Sequence, residues 1–388
     1  MSRMHLRFRL RPTQPLGAIY ALSFLTALGI ATIEPFLALY LKTLVPLQFV
    51  GLIISASFTV SIVANLLGGR IIRKLHEQRA LIFFLGLTTI ALFLMGYIGH
   101  IVVLVVIFSL YTFAVTLVWF NVHLYVKHNS DAQHLSGNEG KLGVFVNLGV
   151  VLAPFIGGAV ATRFDLPAVF VAAALITLIA FILFFELRPY DHEVVVTENE
   201  NFWTSLKMFF RERELARIYF ALFGLYFLYA TWYFLPVLLT SHGLSVANLG
   251  LLYSLSAIPW VVLEYPIGRW ADKKGERAFL ITGFSILSVV GFLYGFGPSL
   301  PWIIAGLFIG VIGTSFIEQI TFAAFFRRAG ERDVERLSVF RSAMGLGQVT
   351  APLLAAVLLS VAPLPFLFTF SGLLSLLFLA NVLSLRRA

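Results

Sequence analysis

Two glutamates, Glu34 and Glu318, stand in runs that are otherwise apolar or weakly polar, "GIATIEPFLALYL" and "GTSFIEQITF". A carboxylate in the middle of a membrane helix costs roughly 2.5 to 3.5 kcal/mol on insertion scales, so one that is kept there faces the protein interior and has a task. Glu34 shares a helical face with Ser23, Thr26, Ala27, Ala31 and Ala38, a small and polar stripe expected to line a central cavity. Glu318 shares a face with Gly310, Thr314 and Thr321. Three tasks fit such groups: binding and releasing a proton, pairing with a cationic substrate, or hydrogen bonding to a neighbouring helix to fix packing. Glu264 lies near a run's end, one turn before Arg269, and suits a structural ion pair. His123 has two readings, a proton relay or a packing histidine.

Aromatic residues crowd "YFALFGLYFLYATWYFLPVLL", where Tyr226, Tyr229, Trp232 and Tyr233 fall mid-run and the three tyrosines share a face. Rings that line a cavity hold an apolar or cationic molecule by stacking and cation–π contact, or a sugar by stacking; rings that face lipid do neither. Trp119, Asn121 and Gln319 are further cavity candidates.

The elements that position these residues are long apolar segments. Apolar residues make up 59% of the chain and charged ones 12%, where soluble domains carry about a quarter charged. Runs near the length needed to cross a bilayer are predicted at 16–41, 48–72, 79–98, 101–126, 140–162, 166–187, 216–240, 247–271, 278–296, 301–325, 336–361 and 364–385. The apolar run after the Arg-bearing start exceeds a signal-peptide core, so it is expected to be a retained first helix. Lysines and arginines fall on one side of this topology, with Lys42 and Arg163 the exceptions. That asymmetry places both termini in the cytoplasm and explains the net charge of +9 without nucleic acid. The absence of cysteine excludes disulfides and a thiolate metal site.

The polar stretch 188–215 divides the spans six and six, giving an N-terminal bundle at 1–187 and a C-terminal bundle at 216–388. Within it, "NFWTSLKMFFRERE" has the pattern of an interfacial helix, with Phe202, Trp203, Leu206, Phe209 and Phe210 expected to face lipid. The halves are related by an internal repeat. At an offset of 199, residues 50–82 align without gaps on the second half, pairing Gly51 with Gly250, Ser55 with Ser254, Gly69 with Gly268, Arg70 with Arg269, Lys74 with Lys273 and Glu77 with Glu276. At 198, Gly149, Ala153 and Pro154 pair with Gly347, Ala351 and Pro352.

The second copy of the loop, "GRWADKKGER" at 268–277, resembles the signature loop of the major facilitator superfamily, carried between helices 2 and 3 and often again between 8 and 9. Gly268 permits close packing and Gly275 a turn, while Asp272 can face the positive end of a neighbouring helix. The resemblance makes Asp272 a conformational latch, with Lys273 and Arg277 beside it fixing topology or gating. In the first copy Arg73 replaces the Asp and His76 the second Gly, which leaves Gly69 and Arg70 as the preserved positions.

"LGIATIEPFLALYL" is similar to the first-helix pattern of the drug:proton antiporter branch. The fifth-span run through Gly149, Ala153, Pro154, Gly157 and Gly158 is similar to that branch's antiporter signature, with Ala153 in place of a Gly; close packing alone also accounts for small residues around a proline. The branch's helix 4 Arg is absent. The resemblance implies an all-α membrane protein of twelve helices in two pseudo-symmetric six-helix bundles. It also implies a secondary transporter, expected to be a monomer in a bacterial inner membrane that couples proton movement to export of small amphipathic or cationic compounds. The alternative is a proton-coupled transporter of a polar nutrient such as a sugar. No metalloprotease, serine-hydrolase or phosphate-loop motif occurs, so neither an enzyme nor a cofactor is expected.

Overall fold

A computed structural model describes residues 15–130, 135–187, 202–297, 299–329 and 333–385. Within them the chain forms α1 (Pro15–Leu44), α2 (Leu47–Leu75), α3 (Glu77–Tyr97), α4 (Ile101–His128), α5 (Leu135–Arg163), α6 (Leu166–Leu187) and α7 (Phe202–Arg211). The second half continues with α8 (Arg213–Thr231), α9 (Leu235–Ser241), α10 (Val246–Lys274), α11 (Glu276–Gly295), α12 (Leu300–Ala329), α13 (Asp333–Val361) and α14 (Leu364–Leu383). Twelve spans among the described residues are long and apolar enough to cross a membrane, α8 and α9 together making the seventh. The all-helical result follows from the solvent: in hydrocarbon each backbone N–H and C=O must be satisfied within its own segment.

Two compact units form, Met1–Glu34 with Val63–Val196 and Pro35–Ile62 with Thr197–Ala388. They differ from the halves drawn at the polar linker in one segment, residues 35–62. Its place in the second unit has a local cause. Gly51 lets α2 come against the Pro352 carbonyl and Ala356 of α13, and Ser55 Oγ donates to the Val349 carbonyl at 2.8 Å.

Each unit repeats one packing device. A Cβ on Gly149 of α5 would stand 2.7 Å from the Phe24 carbonyl and 2.9 Å from the Leu28 nitrogen of α1. A Cβ on Gly347 of α13 would stand 2.9 Å from the Phe223 carbonyl and 2.7 Å from the Phe227 nitrogen of α8. The partners are 199 residues apart and the glycines 198, the two offsets that relate the halves in the sequence, so the duplication extends to individual contacts. Ala153 and Ala31 continue the α1–α5 seam with Leu28. Ser23, Thr26, Ala27, Ala31 and Ala38 are all buried. The stripe on α1 is thus a packing seam and not the open cavity lining expected of it, because small side chains serve first to bring backbones together.

The interfacial helix also packs differently from expectation. Phe209 of α7 is 1% exposed, stacks on Phe325 and meets Tyr219 edge to face, with Leu206 against the same cluster, while Phe210 stays exposed. The side chains of Phe202 and Trp203 lie outside the described residues.

The two repeated loops turn the same way. Gly275, between α10 and α11, has φ +83° and ψ 145°, and His76, between α2 and α3, has φ +65° and ψ 152°. Only glycine enters this region without strain. The second loop is further tied down by charge: Glu276, at the start of α11, places Oε1 2.7 Å from Arg327 Nε and Oε2 2.7 Å from Arg328 Nη1 at the end of α12. Arg277 donates to the Leu383 carbonyl at the end of α14.

Two outcomes follow for the purified protein in detergent, read as thermal unfolding midpoints. His76→Gly removes about 1 to 3 kcal/mol of strain at a cost of up to about 1 kcal/mol in unfolded-chain entropy, so its midpoint rises, while that of Gly275→Ala falls. Glu276→Gln leaves Arg328, 18% exposed, without its counter-charge, and the midpoint drops by the equivalent of about 3 kcal/mol, at the low end for a buried pair because Arg327 is half exposed.

Candidate functional site

The seventh span is not one helix. Pro236 has no N–H to offer the Trp232 carbonyl four residues back, and the Leu235 N–H takes that carbonyl instead, so Trp232–Phe234 tighten into a single 3-10 turn between α8 and α9. The turn falls within the aromatic cluster, and it separates the rings by function. Tyr226 and Tyr229, below the turn, point at α12. Tyr233, within it, meets Phe58 of α2 with ring centroids 5.8 Å apart.

On α12 a close approach to α11 fixes the rotation of the helix. A Cβ on Gly283 would stand 2.8 Å from the Gly313 carbonyl, and one on Gly313 would stand 2.8 Å from the Ile286 side chain. Thr314 and Thr321 are fully buried, and their hydroxyls bond back to the α12 carbonyls of Val311 and Ile317. Glu318, on their face, is half buried and turned toward α8. The Tyr226 hydroxyl donates to its Oε1 at 3.0 Å and the Tyr229 hydroxyl to its Oε2 at 3.2 Å.

The rings around this carboxylate are set edge to face. Tyr229 meets Tyr226 at 5.6 Å, Trp232 at 6.1 Å and Trp260 of α10 at 5.7 Å, with interplanar angles of 71°, 86° and 67°. Trp232 is held by Gly310, where a Cβ would stand 2.8 Å from its indole ring. The Trp260 indole nitrogen is shielded from solvent and makes no hydrogen bond among the described residues. Arg341 of α13 is exposed, and its neighbour Ser342 lies 3.2 Å from the Tyr219 hydroxyl. The second unit therefore collects a carboxylate with two phenol donors and two indoles, with a guanidinium on the helix packed against α8. It has the parts to hold a proton, a cation or a polar solute. Among the described residues no cluster of His, Cys, Asp or Glu could hold a metal ion.

Trp260 and Arg341 were not among the residues singled out from sequence. Each left a signal there, a Trp after Pro259 inside the eighth span and a lone Arg inside the eleventh.

The other candidates fall elsewhere. Glu34 is accessible on α1, immediately before Pro35, through which the helix continues. Asn121 is fully buried and its amide donates to the Glu77 carbonyl at 2.7 Å, tying α4 to the start of α3 instead of lining a cavity. Trp119 packs against the core of the first unit. His123 is half buried on α4, and Gln319 sits beside Glu318 on α12. Pro154, Gly157 and Gly158 are buried in α5, and Pro352 in α13. Gly69 is partly buried and Arg70 exposed near the end of α2. Gly268, Asp272 and Lys273 lie on α10, as does Glu264, and their side chains are outside the described residues.

Comparison with known proteins agrees with this architecture. The sequence matches the Major Facilitator Superfamily over residues 19–263 and 226–388. It is similar to an uncharacterized MFS-type transporter of Methanocaldococcus jannaschii, 21% identical over 375 residues that cover 92% of this chain and 94% of that one. A shorter similarity, 27% over 82 residues and 21% of each chain, links it to multidrug resistance protein 1 of Bacillus subtilis. Among solved structures, the fold resembles a peptide transporter POT in complex with sulfate, with TM-score 0.75, 16% identity and coverage of 96% of this chain and 94% of that chain. It also resembles a POT family transporter in complex with 5-aminolevulinic acid, with TM-score 0.78, 13% identity and 95% coverage of both chains. The chain belongs to the Major Facilitator Superfamily, a family of multi-pass membrane transporters.

Proposed function

We propose that the protein is a proton-coupled exporter of small amphipathic or cationic compounds, working by alternating access, with Glu318 as the group for which proton and substrate compete. The observation that carries this reading is the pair of phenols donating to the two oxygens of one mid-span carboxylate. An ionised carboxylate only accepts hydrogen bonds, so it satisfies both tyrosines at once. Once protonated it becomes a donor as well, and one of the three O–H groups has to turn elsewhere. A cationic substrate takes the place of the phenols on an ionised Glu318 and is released when a proton arrives. The faces of Tyr229 and Trp260 add cation–π attraction around the same point.

Glu34 is a second exchangeable carboxyl and His123 a relay between proton positions. The name of the Bacillus subtilis relative supports export of drug-like compounds, over the short segment the two share. The protein acts as a monomer in a bacterial inner membrane, with both termini cytoplasmic.

Arg341 favours a second reading. A guanidinium on α13, the helix packed against the one that carries both phenols, suits a polar solute better than a bare lipophilic cation, and that supports transport of a polar nutrient such as a sugar.

Proteoliposomes with an imposed pH gradient separate the two, using tetraphenylphosphonium as a lipophilic cation and a panel of labelled sugars. Gradient-driven tetraphenylphosphonium flux is expected, abolished by Glu318→Gln and reduced in Tyr226→Phe and Tyr229→Phe. Sugar flux with no movement of the cation would overturn the first reading in favour of the second. Full pH-driven flux in Glu318→Gln and in Glu34→Gln would return both carboxylates to packing.

A further inference from the structure

We propose that the loop joining α2 and α3 is a binding site for the phosphate of an anionic lipid in the leaflet it faces. Arg70, Arg73 and Lys74 end α2, and Arg79 lies in the first turn of α3. All four side chains are exposed, and none makes an ion pair among the described residues. Glu77, the one carboxylate of the segment 70–79, is 1% exposed, so it presents no negative charge at this surface. Arg73 also stands where the second copy has Asp272, which replaces a negative charge by a positive one at that position.

Two features make this surface fit a lipid and not a soluble anion or a polyanion. Leu66, Leu67 and Leu75 on α2 and Phe83 on α3 are exposed beside the cluster, and supply apolar surface for acyl chains. The cations themselves sit at helix ends, at the depth where headgroup phosphates lie, and α3 begins at His76 with no side-chain cap, so its positive end adds to the same field. In this loop a headgroup phosphate supplies the negative charge that the other copy carries within its own chain.

The test uses full-length protein purified in detergent. Thermal midpoints are measured with added phosphatidylglycerol, with phosphatidylcholine and with inorganic phosphate, and bound phosphatidylglycerol is counted by native mass spectrometry. Phosphatidylglycerol is expected to raise the midpoint and to appear as a bound adduct, while the other two additions do neither. Arg73→Gln weakens the binding about five-fold, and Arg73→Gln/Lys74→Gln/Arg79→Gln removes it, on the order of 1 kcal/mol per cation. Lys42→Gln, at the other end of the spans, leaves it unchanged. Equal shifts from phosphatidylcholine would show general lipid stabilisation, and a matching shift from inorganic phosphate would show a soluble-anion site. Either result overturns the proposal, as does an undiminished adduct in Arg73→Gln, a single change that tests it even where the triple variant fails to fold.

Discussion

Helices in lipid gain nothing by burying apolar surface against one another, since the tails around them are equally apolar. What aligns them is how closely their backbones approach and which polar groups meet when they do. Gly149 against Phe24–Leu28 and Gly347 against Phe223–Phe227 set that distance in the two units. The second contact fixes how α13 lies on α8: with Gly347 seated at Tyr226, Ser342 falls 3.2 Å from the Tyr219 hydroxyl. Gly283 and Gly313 do the same for α12, turning Glu318 away from α11 and toward α8. Side chains far from the carboxylate, most of them a single hydrogen atom, therefore determine its hydrogen bonds.

Charge obeys a different rule at the helix ends. There water competes, so an ion pair matters only when it is withdrawn from solvent. Glu276 meets that condition at 5% exposure, and its two arginines join the start of α11 to the end of α12. The first unit keeps the turn, with His76 in a backbone conformation that suits glycine. The second loop carries an acid, Asp272, among its cations, whereas the first has Arg73 there and offers its cations outward.

Much of the fold could be read from the sequence because spanning a bilayer imposes length and composition on each segment separately. The predicted run 166–187 is α6, and 101–126 lies within α4. What could not be read depends on partners distant in the chain. The amphipathic pattern of 202–211 identifies a helix, but only Tyr219 and Phe325 decide that Phe209 is covered by protein. The small residues of α1 fit a cavity wall and a packing seam equally well until α5 is placed beside them. Tyr226, Tyr229 and Glu318 were each recognisable, yet nothing in their spacing, about 90 residues apart, joins them. Arg341 stands out as a cation in an apolar span, yet nothing in its spacing marks α8 as the helix it lies beside.

The repeat clarifies why the site is one-sided. Duplication copies packing faithfully, since glycine contacts that fix a helix pair are needed in both units. It does not preserve the mid-span carboxylates. At the offset that superposes the two loops, Glu318 falls on Trp119 and Glu34 on Tyr233, while Tyr226 falls on Ala27. Each mid-span carboxylate thus has an aromatic counterpart, and the tyrosine that serves Glu318 is replaced by the alanine that seats α1 near Gly149. A second buried acid with its own donors would carry a second insertion cost of roughly 2.5 to 3.5 kcal/mol without improving the packing. The symmetric scaffold is therefore compatible with an asymmetric centre: close backbone contact is kept in both units, while the carboxylate bonded by two phenols belongs to the second.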